Sequence, residues 1–115
     1  MKSIDIPERV QGILDSAIGV DELCERLPSL TYISQMSSIH HALSDPIRLK
    51  ILYLLAIQPL CVCVIKECIK IADSKLSYHL TVLKKGNLIE GDQQGTWIIY
   101  RITDLGEQML TPEHE

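Results

Sequence analysis

The chain has 115 residues and a net charge of −4; it is 46% hydrophobic but only 4% aromatic, with no Phe. That length suits a single modest core built from Leu, Ile and Val, and the apolar content excludes a disordered chain. The longest apolar run, ILYLLAI at 51–57, is too short to span a bilayer, and the opening MKSIDIPERVQG has no apolar signal core; the expected location is the cytoplasm, without membrane contact and with thiols kept reduced.

Between Pro7 and Pro28, Val10, Ile13, Leu14 and Ala17, then Val20, Leu23 and Leu27, recur at helical spacing around Gly19. This predicts one broken helix or two short ones. Pro28 and Ser29 open a second helical stretch, with Leu30, Ile33, Met36, Ile39 and Leu43 at steps of three or four. In SDPIRLKILYLLAIQP, Ser44 or Asp45 can cap, Pro46 fits the first turn and Pro59 stops the helix. Its apolar residues wrap most of the circumference, so it should be the most buried helix. CVCVIKECIKIA and DSKLSYHLTVLKKGN then predict two helices with few residues between them, a helix-turn-helix. The second has Asp73 or Ser74 as cap, a stripe of Leu76, Leu80 and Leu83, and Gly86-Asn87 as its stop. NLIEG and TWIIYRI, separated by DQQG with Gly95 closing the turn, predict a hairpin. TDLGEQML adds a short helix capped by Thr103 or Asp104. The fold class expected is mainly α with a β-hairpin wing (α+β), a winged helix-turn-helix.

The net charge hides an asymmetry. Residues 1–45 carry three basic and seven acidic side chains, whereas Arg48, Lys50, Lys66, Lys70, Lys75, Lys84 and Lys85 face only Glu67 and Asp73 within 48–85, a local +5. A local basic field is what phosphate contact requires. On the second helix of the pair, Ser74, Lys75, Ser77 and Tyr78 lie outside the apolar stripe, with Thr81 further along, and are candidates for base edges or phosphates in a major groove. Gln93 and Gln94 at the hairpin tip suit a minor groove, and Arg101 a phosphate. The plain alternative is a set of ordinary solvated side chains. His79 is expected to be structural, His40 and His41 to cap carbonyls or sit in solvent, and Trp97 to pack within the wing.

Three of the four cysteines, Cys61, Cys63 and Cys68, fall within LCVCVIKEC. Cysteine packs as a small hydrophobe, yet clustered thiolates capture soft ions. On a regular helix Cys61 and Cys68 share a face but stand about 10 Å apart, and Cys63 points roughly 160° away from Cys61. Convergence therefore needs 61–63 to leave the helix, which Pro59 favours, or a sulfur from elsewhere, with Cys24 as the other candidate. A buried core position is the competing reading for Cys68. No Cys–His pairing or phosphate-binding glycine loop supports catalysis, so no enzyme is expected.

The stretch from His40 to Thr103, through ALSDPIRLKIL, LCVC, SYHLTVLKKGNLI and GTWIIYRI, resembles the ArsR/SmtB family of arsenic- and metal-responsive repressors. The resemblance implies a homodimeric winged-helix repressor that leaves its operator DNA when an inducer binds, with recognition positions on Ser74, Lys75, Ser77 and Tyr78. It divides the chain into 1–38, a helical extension expected to serve dimerisation; 39–103, the DNA-binding domain with the thiol site; and 104–115, a short C-terminal helix or tail. Cys61 and Cys63 match the family's Cys-x-Cys sensor pair, with Cys68 as third ligand or Cys24 in its place. The spacing to Cys68 is Cys-x4-Cys where the arsenic type resembles Cys-x2-Cys. The family's other site, on the last helix, needs a His where this chain has Gly106. A soft inducer is expected: As(III) or Sb(III) first, Cd(II) or Pb(II) next, with no organic cofactor. A redox repressor that forms a disulfide, or a cysteine-based metal carrier, are the alternatives.

Overall fold

The computed structural model of the chain describes residues 7–15 and 18–110. It contains two compact units, 1–33 and 34–115. In the first, α1 (Glu8–Asp15) and α2 (Val20–Glu25) are separate helices, and Gly19, in extended conformation, caps α2. Asp21 and Glu22 occupy the first turn of α2, where the helix dipole favours negative charge. Arg26 pairs with Glu22 at 2.9 Å. No residue of α2 is buried, and Val10, Leu23 and Leu27 are exposed. The expected apolar side chains of Ile13, Leu14 and Ala17, and the tail 111–115, lie outside the described residues.

Helix α3 (Leu30–Leu43) begins where the Ser29 hydroxyl accepts the Tyr32 N–H at 3.1 Å. Its stripe is buried only in its second half. Ile39 and Ala42 enter the core of the second unit, while Leu30 is 81% and Ile33 44% exposed. Asp45, not Ser44, caps α4 (Pro46–Ile57), accepting the N–H groups of Ile47 at 2.8 Å and Arg48 at 3.2 Å. Pro46 is the first helical residue, where its missing N–H costs nothing. Ile51, Leu52 and Leu55 of α4 form the centre of the core with Ile65, Leu76, Leu80, Leu83, Leu88, Ile89 and Tyr100.

The helix-turn-helix is α5 (Val62–Ile69) and α6 (Asp73–Lys85). Lys70 ends α5 in the left-handed region at φ 60°. The N-cap of α6 is Ala72, with no side-chain hydrogen bond; Asp73, expected to cap, lies inside the first turn and pairs with Lys66 instead. Helix α6 closes at Gly86, and Asn87 takes the left-handed conformation at φ 61°, so that the Leu88 N–H reaches the Leu83 carbonyl at 3.1 Å.

The sheet has three antiparallel strands in the order β1 (Leu60–Cys61), β3 (Trp97–Ile102), β2 (Ile89–Gln94). The predicted hairpin is present, but strand pairing runs through most of DQQG, leaving a turn at Gly95-Thr96 with Gly95 at φ +64°. Strand β1 was not expected: two residues are too few to show alternation, and they lead straight into a helix. Thr103 caps α7 (Asp104–Met109), its hydroxyl accepting the Gly106 N–H at 3.0 Å. The element order gives the expected mainly helical winged helix-turn-helix.

Candidate sensor pair and nucleic-acid interface

Cys61 does not belong to a helix. It is the last residue of β1, paired with Ile99 of the wing, and the N-cap of α5 at φ −78°, ψ 159°. This extended backbone removes the helical arithmetic that would send the two sulfurs apart. Cys61 and Cys63 meet across one residue as a disulfide, with Cα atoms 5.4 Å apart. Cys61 is half-buried and Cys63 exposed. Cys63 sits in the first turn of α5, where the dipole favours a negative charge such as a thiolate.

Cys68 does not join them. It follows Cys63 by five helical residues, about 7.5 Å of rise and roughly 140° of rotation, and it is exposed. Its exposure argues against a core position for Cys68, and on this α5 it stands apart from the pair. Cys24 is exposed on α2 in the first unit. Among the described residues no group of three or more His, Cys, Asp and Glu side chains stands close enough to hold a metal ion. The donor set that the chain brings together is therefore two soft sulfurs. These fit a thiophilic centre in kind, but do not by themselves fill a three-coordinate one. At Gly106, where the resemblance would require a His for a C-terminal site, packing leaves no room for one. A β-carbon on Gly106 would run into the Leu88 carbonyl and come within 2.6 Å of Ile102 Cγ1.

On α6 the stripe turns inward and the candidate contacts outward: Leu76, His79, Leu80 and Leu83 are buried, whereas Ser74, Lys75, Ser77, Tyr78 and Thr81 are exposed. Thr81 spends its hydroxyl on the Ser77 carbonyl at 2.9 Å. Gln93 and Gln94 are exposed at the wing tip, with the Gln93 amide donating to the Gly95 carbonyl at 2.9 Å. Arg101 pairs with Asp92 across the wing, so its charge is already answered. Trp97, expected to pack within the wing, is 56% exposed near its tip.

Arg48 corrects the charge reading. It is 4% exposed and is no part of the basic surface. Its Nε donates to the Ala42 carbonyl at 2.9 Å, Nη2 to the His41 carbonyl at 3.1 Å, and Nη1 meets His79 Nδ1 at 2.9 Å. A guanidinium has only donors, so in this contact Nδ1 is the acceptor. One buried side chain thus ties the end of α3, the start of α4 and the recognition helix together. The signal was present in the sequence: Arg48 stands three and four residues before Ile51 and Leu52, on the face of α4 that is buried. His79 is structural, as expected. Burial pushes the Asp45 carboxyl up, but the backbone N–H groups of Arg48 and Ile47 hold it below its ordinary value.

The profile of the family described as "Bacterial regulatory protein, arsR family" matches residues 45–90. An HTH-type transcriptional regulator of Methanocaldococcus jannaschii is 41% identical over 69 residues, 59% of this chain and 78% of that protein. This chain belongs to the ArsR family. The arsenical resistance operon repressor of Bacillus subtilis is 44% identical over 64 residues, 55% of this chain but 61% of the repressor, less than two thirds of its length. A possible ArsR-family regulator of Mycobacterium bovis, solved as a homodimeric winged helix-turn-helix DNA-binding domain, superposes with a TM-score of 0.59 at 26% identity, covering 90% of this chain and 79% of that one. The ArsR-family chain thus carries the winged helix-turn-helix fold. Among the described residues no helix is long and apolar enough to cross a membrane.

Proposed function

We propose that this ArsR-family chain is a cytoplasmic homodimeric repressor that leaves its operator when Cys61 and Cys63 bind a thiophilic ion, As(III) or Sb(III) ahead of Cd(II) or Pb(II). The observation that carries the reading is the meeting of the two sulfurs at the junction of β1 and α5, with β1 paired to the wing and α5 leading into the recognition helix. An ion held there acts on both DNA-facing elements at once. The relatedness to an arsenical resistance repressor supports arsenic as the first inducer to test. Dimerisation is supported by the apolar side chains of Leu23, Leu27, Leu30 and Ile33, left exposed in the single chain, and by the homodimeric relative. In this reading Ser74, Lys75, Ser77 and Tyr78 contact DNA in the major groove and Gln93 and Gln94 follow the wing. Thr81 and Arg101, both already hydrogen-bonded, support their neighbours. Either Cys68 or Cys24 completes the coordination of an inorganic ion, supplied by a rearranged α5 or by the partner subunit.

The disulfide between Cys61 and Cys63 favours a second reading, in which oxidation of the same pair is the signal. One experiment separates the two. The reduced protein is titrated anaerobically with arsenite and then with Cd(II), following sulfur-to-metal ultraviolet absorption. Saturation at one ion per subunit, lost in Cys61→Ser, is expected. No absorption with either ion, together with reversible loss of both thiols under peroxide, would establish the redox reading instead.

A further inference from the structure

A groove of about 510 Å³ runs between the second half of α3 and one flank of α6, within the second unit. Its polar lining is Ser37, Ser38 and His41 from α3, with Tyr78 and Lys85 from α6. Every one of these side chains can donate a hydrogen bond, and no carboxylate stands among them. Among the described residues Lys85 enters no ion pair. The hydroxyls of Ser37, Ser38 and Tyr78 make no hydrogen bond within the described chain, whereas Thr81 and Ser44 spend theirs on the carbonyls of Ser77 and His41.

The walls of the groove are held in place. Gly86 closes α6 so tightly against α3 that an added β-carbon would stand 3.3 Å from Ala42 Cβ. Arg48 donates to the His41 carbonyl at 3.1 Å and meets His79, the neighbour of Tyr78, at 2.9 Å. The backbone under His41 and the backbone under Tyr78 thus share one buried partner. The helix dipole accounts for a cation at the end of α6. It does not account for three uncommitted hydroxyls and a His gathered around that cation.

We infer that this groove seats a backbone phosphate of bound DNA, beside the major groove that α6 enters. The inference rests on the proposed DNA-binding reading of α6, and it extends the contact surface to α3, outside the helix-turn-helix and the wing. A major groove about 12 Å wide takes a helix about 10–12 Å across with its side chains, so the flanks of α6 stand against the bordering phosphate strands. Ser77, Thr81 and Lys84 mark the flank toward the wing. Tyr78, Val82 and Lys85, at steps of four and three, mark the flank toward α3. A strand that follows this second flank meets the groove. Its phosphate brings one negative charge to Lys85, and its oxygens accept from the hydroxyls and from a ring N–H of His41. Such a contact fixes where α6 sits and reads no base.

The test uses the full reduced chain with two probes, a duplex selected from a random pool by the wild type and a mixed-sequence duplex. Affinity is measured over a series of salt concentrations, with subunit association followed by size exclusion. Lys85→Gln is expected to lower the slope of log affinity against log salt by about 0.9, the value of one phosphate. By that counterion term alone, binding falls roughly eightfold at about 0.1 M salt, equally on both duplexes, so specificity is unchanged. A Ser37→Ala, Ser38→Ala double variant removes no charge and should weaken both duplexes by one common factor at unchanged slope. Lys50→Gln removes a charge from an exposed position on α4 outside the groove and should change the slope less than Lys85→Gln. An unchanged slope in Lys85→Gln, an equal change in Lys50→Gln, or a loss confined to the selected duplex would overturn the seat and leave the DNA-binding reading intact. Altered subunit association in the Lys85 or serine variants would overturn it too, by assigning the groove to the partner subunit. Inorganic phosphate that binds the DNA-free chain by calorimetry, and is lost in a Lys85→Gln variant of unaltered DNA affinity, would assign the groove to a free anion instead. Failure of the wild type to bind either duplex would remove the DNA-binding reading itself, and this inference with it.

Discussion

Replacing Arg48 with Met tests the buried link between the recognition helix and the rest of the core. The substitution roughly preserves length and removes three donated hydrogen bonds, to the Ala42 carbonyl, the His41 carbonyl and His79 Nδ1. The three acceptors are not equally affected. The His41 carbonyl keeps the Ser44 hydroxyl at 2.7 Å and the Ser44 N–H at 3.2 Å. The Ala42 carbonyl and His79 Nδ1 lose the partner that the structure gives them. A stranded buried acceptor costs about 1–3 kcal/mol, so the two together predict a loss of about 2–6 kcal/mol. That is a large share of the roughly 5–15 kcal/mol that holds a domain folded. The assay is urea unfolding of the reduced protein, comparing midpoints at unchanged slope. His79→Leu alone strands one Arg48 donor, and the double variant strands only the Ala42 carbonyl. The double variant should therefore cost less than the sum of the single ones, by a coupling of about 0.5–3 kcal/mol. A loss below about 1 kcal/mol for Arg48→Met, or strict additivity in the cycle, would refute the buried-hub account.

Asp45→Ala removes the α4 cap and should cost about 1 kcal/mol at neutral pH, measured by urea unfolding. Because the folded carboxyl is held below its ordinary value, that contribution is full above about pH 4 and is lost as pH falls through the folded value. The gap between wild type and Asp45→Ala should accordingly close on acidification. Gly106→Ala puts a methyl against the Leu88 carbonyl and Ile102 and should cost about 1–3 kcal/mol in the same assay. Lys70 stands at φ 60°, so Lys70→Gly should leave stability unchanged or raise it by up to about 1 kcal/mol, whereas β-branched Lys70→Val should lower it.

Much of this fold was legible in the sequence because its elements carry strong local signals. Asp45-Pro46 at the start of α4, Gly86-Asn87 at the end of α6 and Gly95 in the wing turn each perform the backbone task that their residue types suggest. What escaped were features that depend on tertiary contact. Strand β1 is defined only by pairing with Ile99 and Tyr100, residues far along the chain. Ala72 as the cap of α6 runs against propensity, since Asp73 is drawn off to Lys66. Arg48 was counted as surface charge because cations are rarely buried without partners, and its partners lie on α3 and α6. Of the candidate site, the departure of Cys61 from the helix was one of two openings that the sequence left, the one that Pro59 favours. The exposure of Cys68 was not legible, because its neighbours Ile65 and Ile69 suggested a core position that only Ile65 fully takes.

In the proposed sensor reading, the short strand that the sequence concealed is also what suits the thiol pair to its task. Were Cys61 helical, the two sulfurs would point apart and any ion would have to unwind α5 to engage both. Because Leu60 and Cys61 pair with Tyr100 and Ile99, the backbone at Cys61 is extended before any ligand arrives, and the pair is preorganised at little further cost. The same pairing makes Cys61 part of the wing's sheet, while Cys63 belongs to the helix that precedes the recognition helix. A bond that joins their sulfurs, whether through arsenic or directly, therefore couples a strand to a helix across a single intervening residue, Val62. That junction is tied to β3 on one side and, through the three residues 70–72, to α6 on the other. In the proposed sensor reading, a switch at this junction would bear on both elements proposed to face DNA, where a third thiol further along α5 would act on the helix alone.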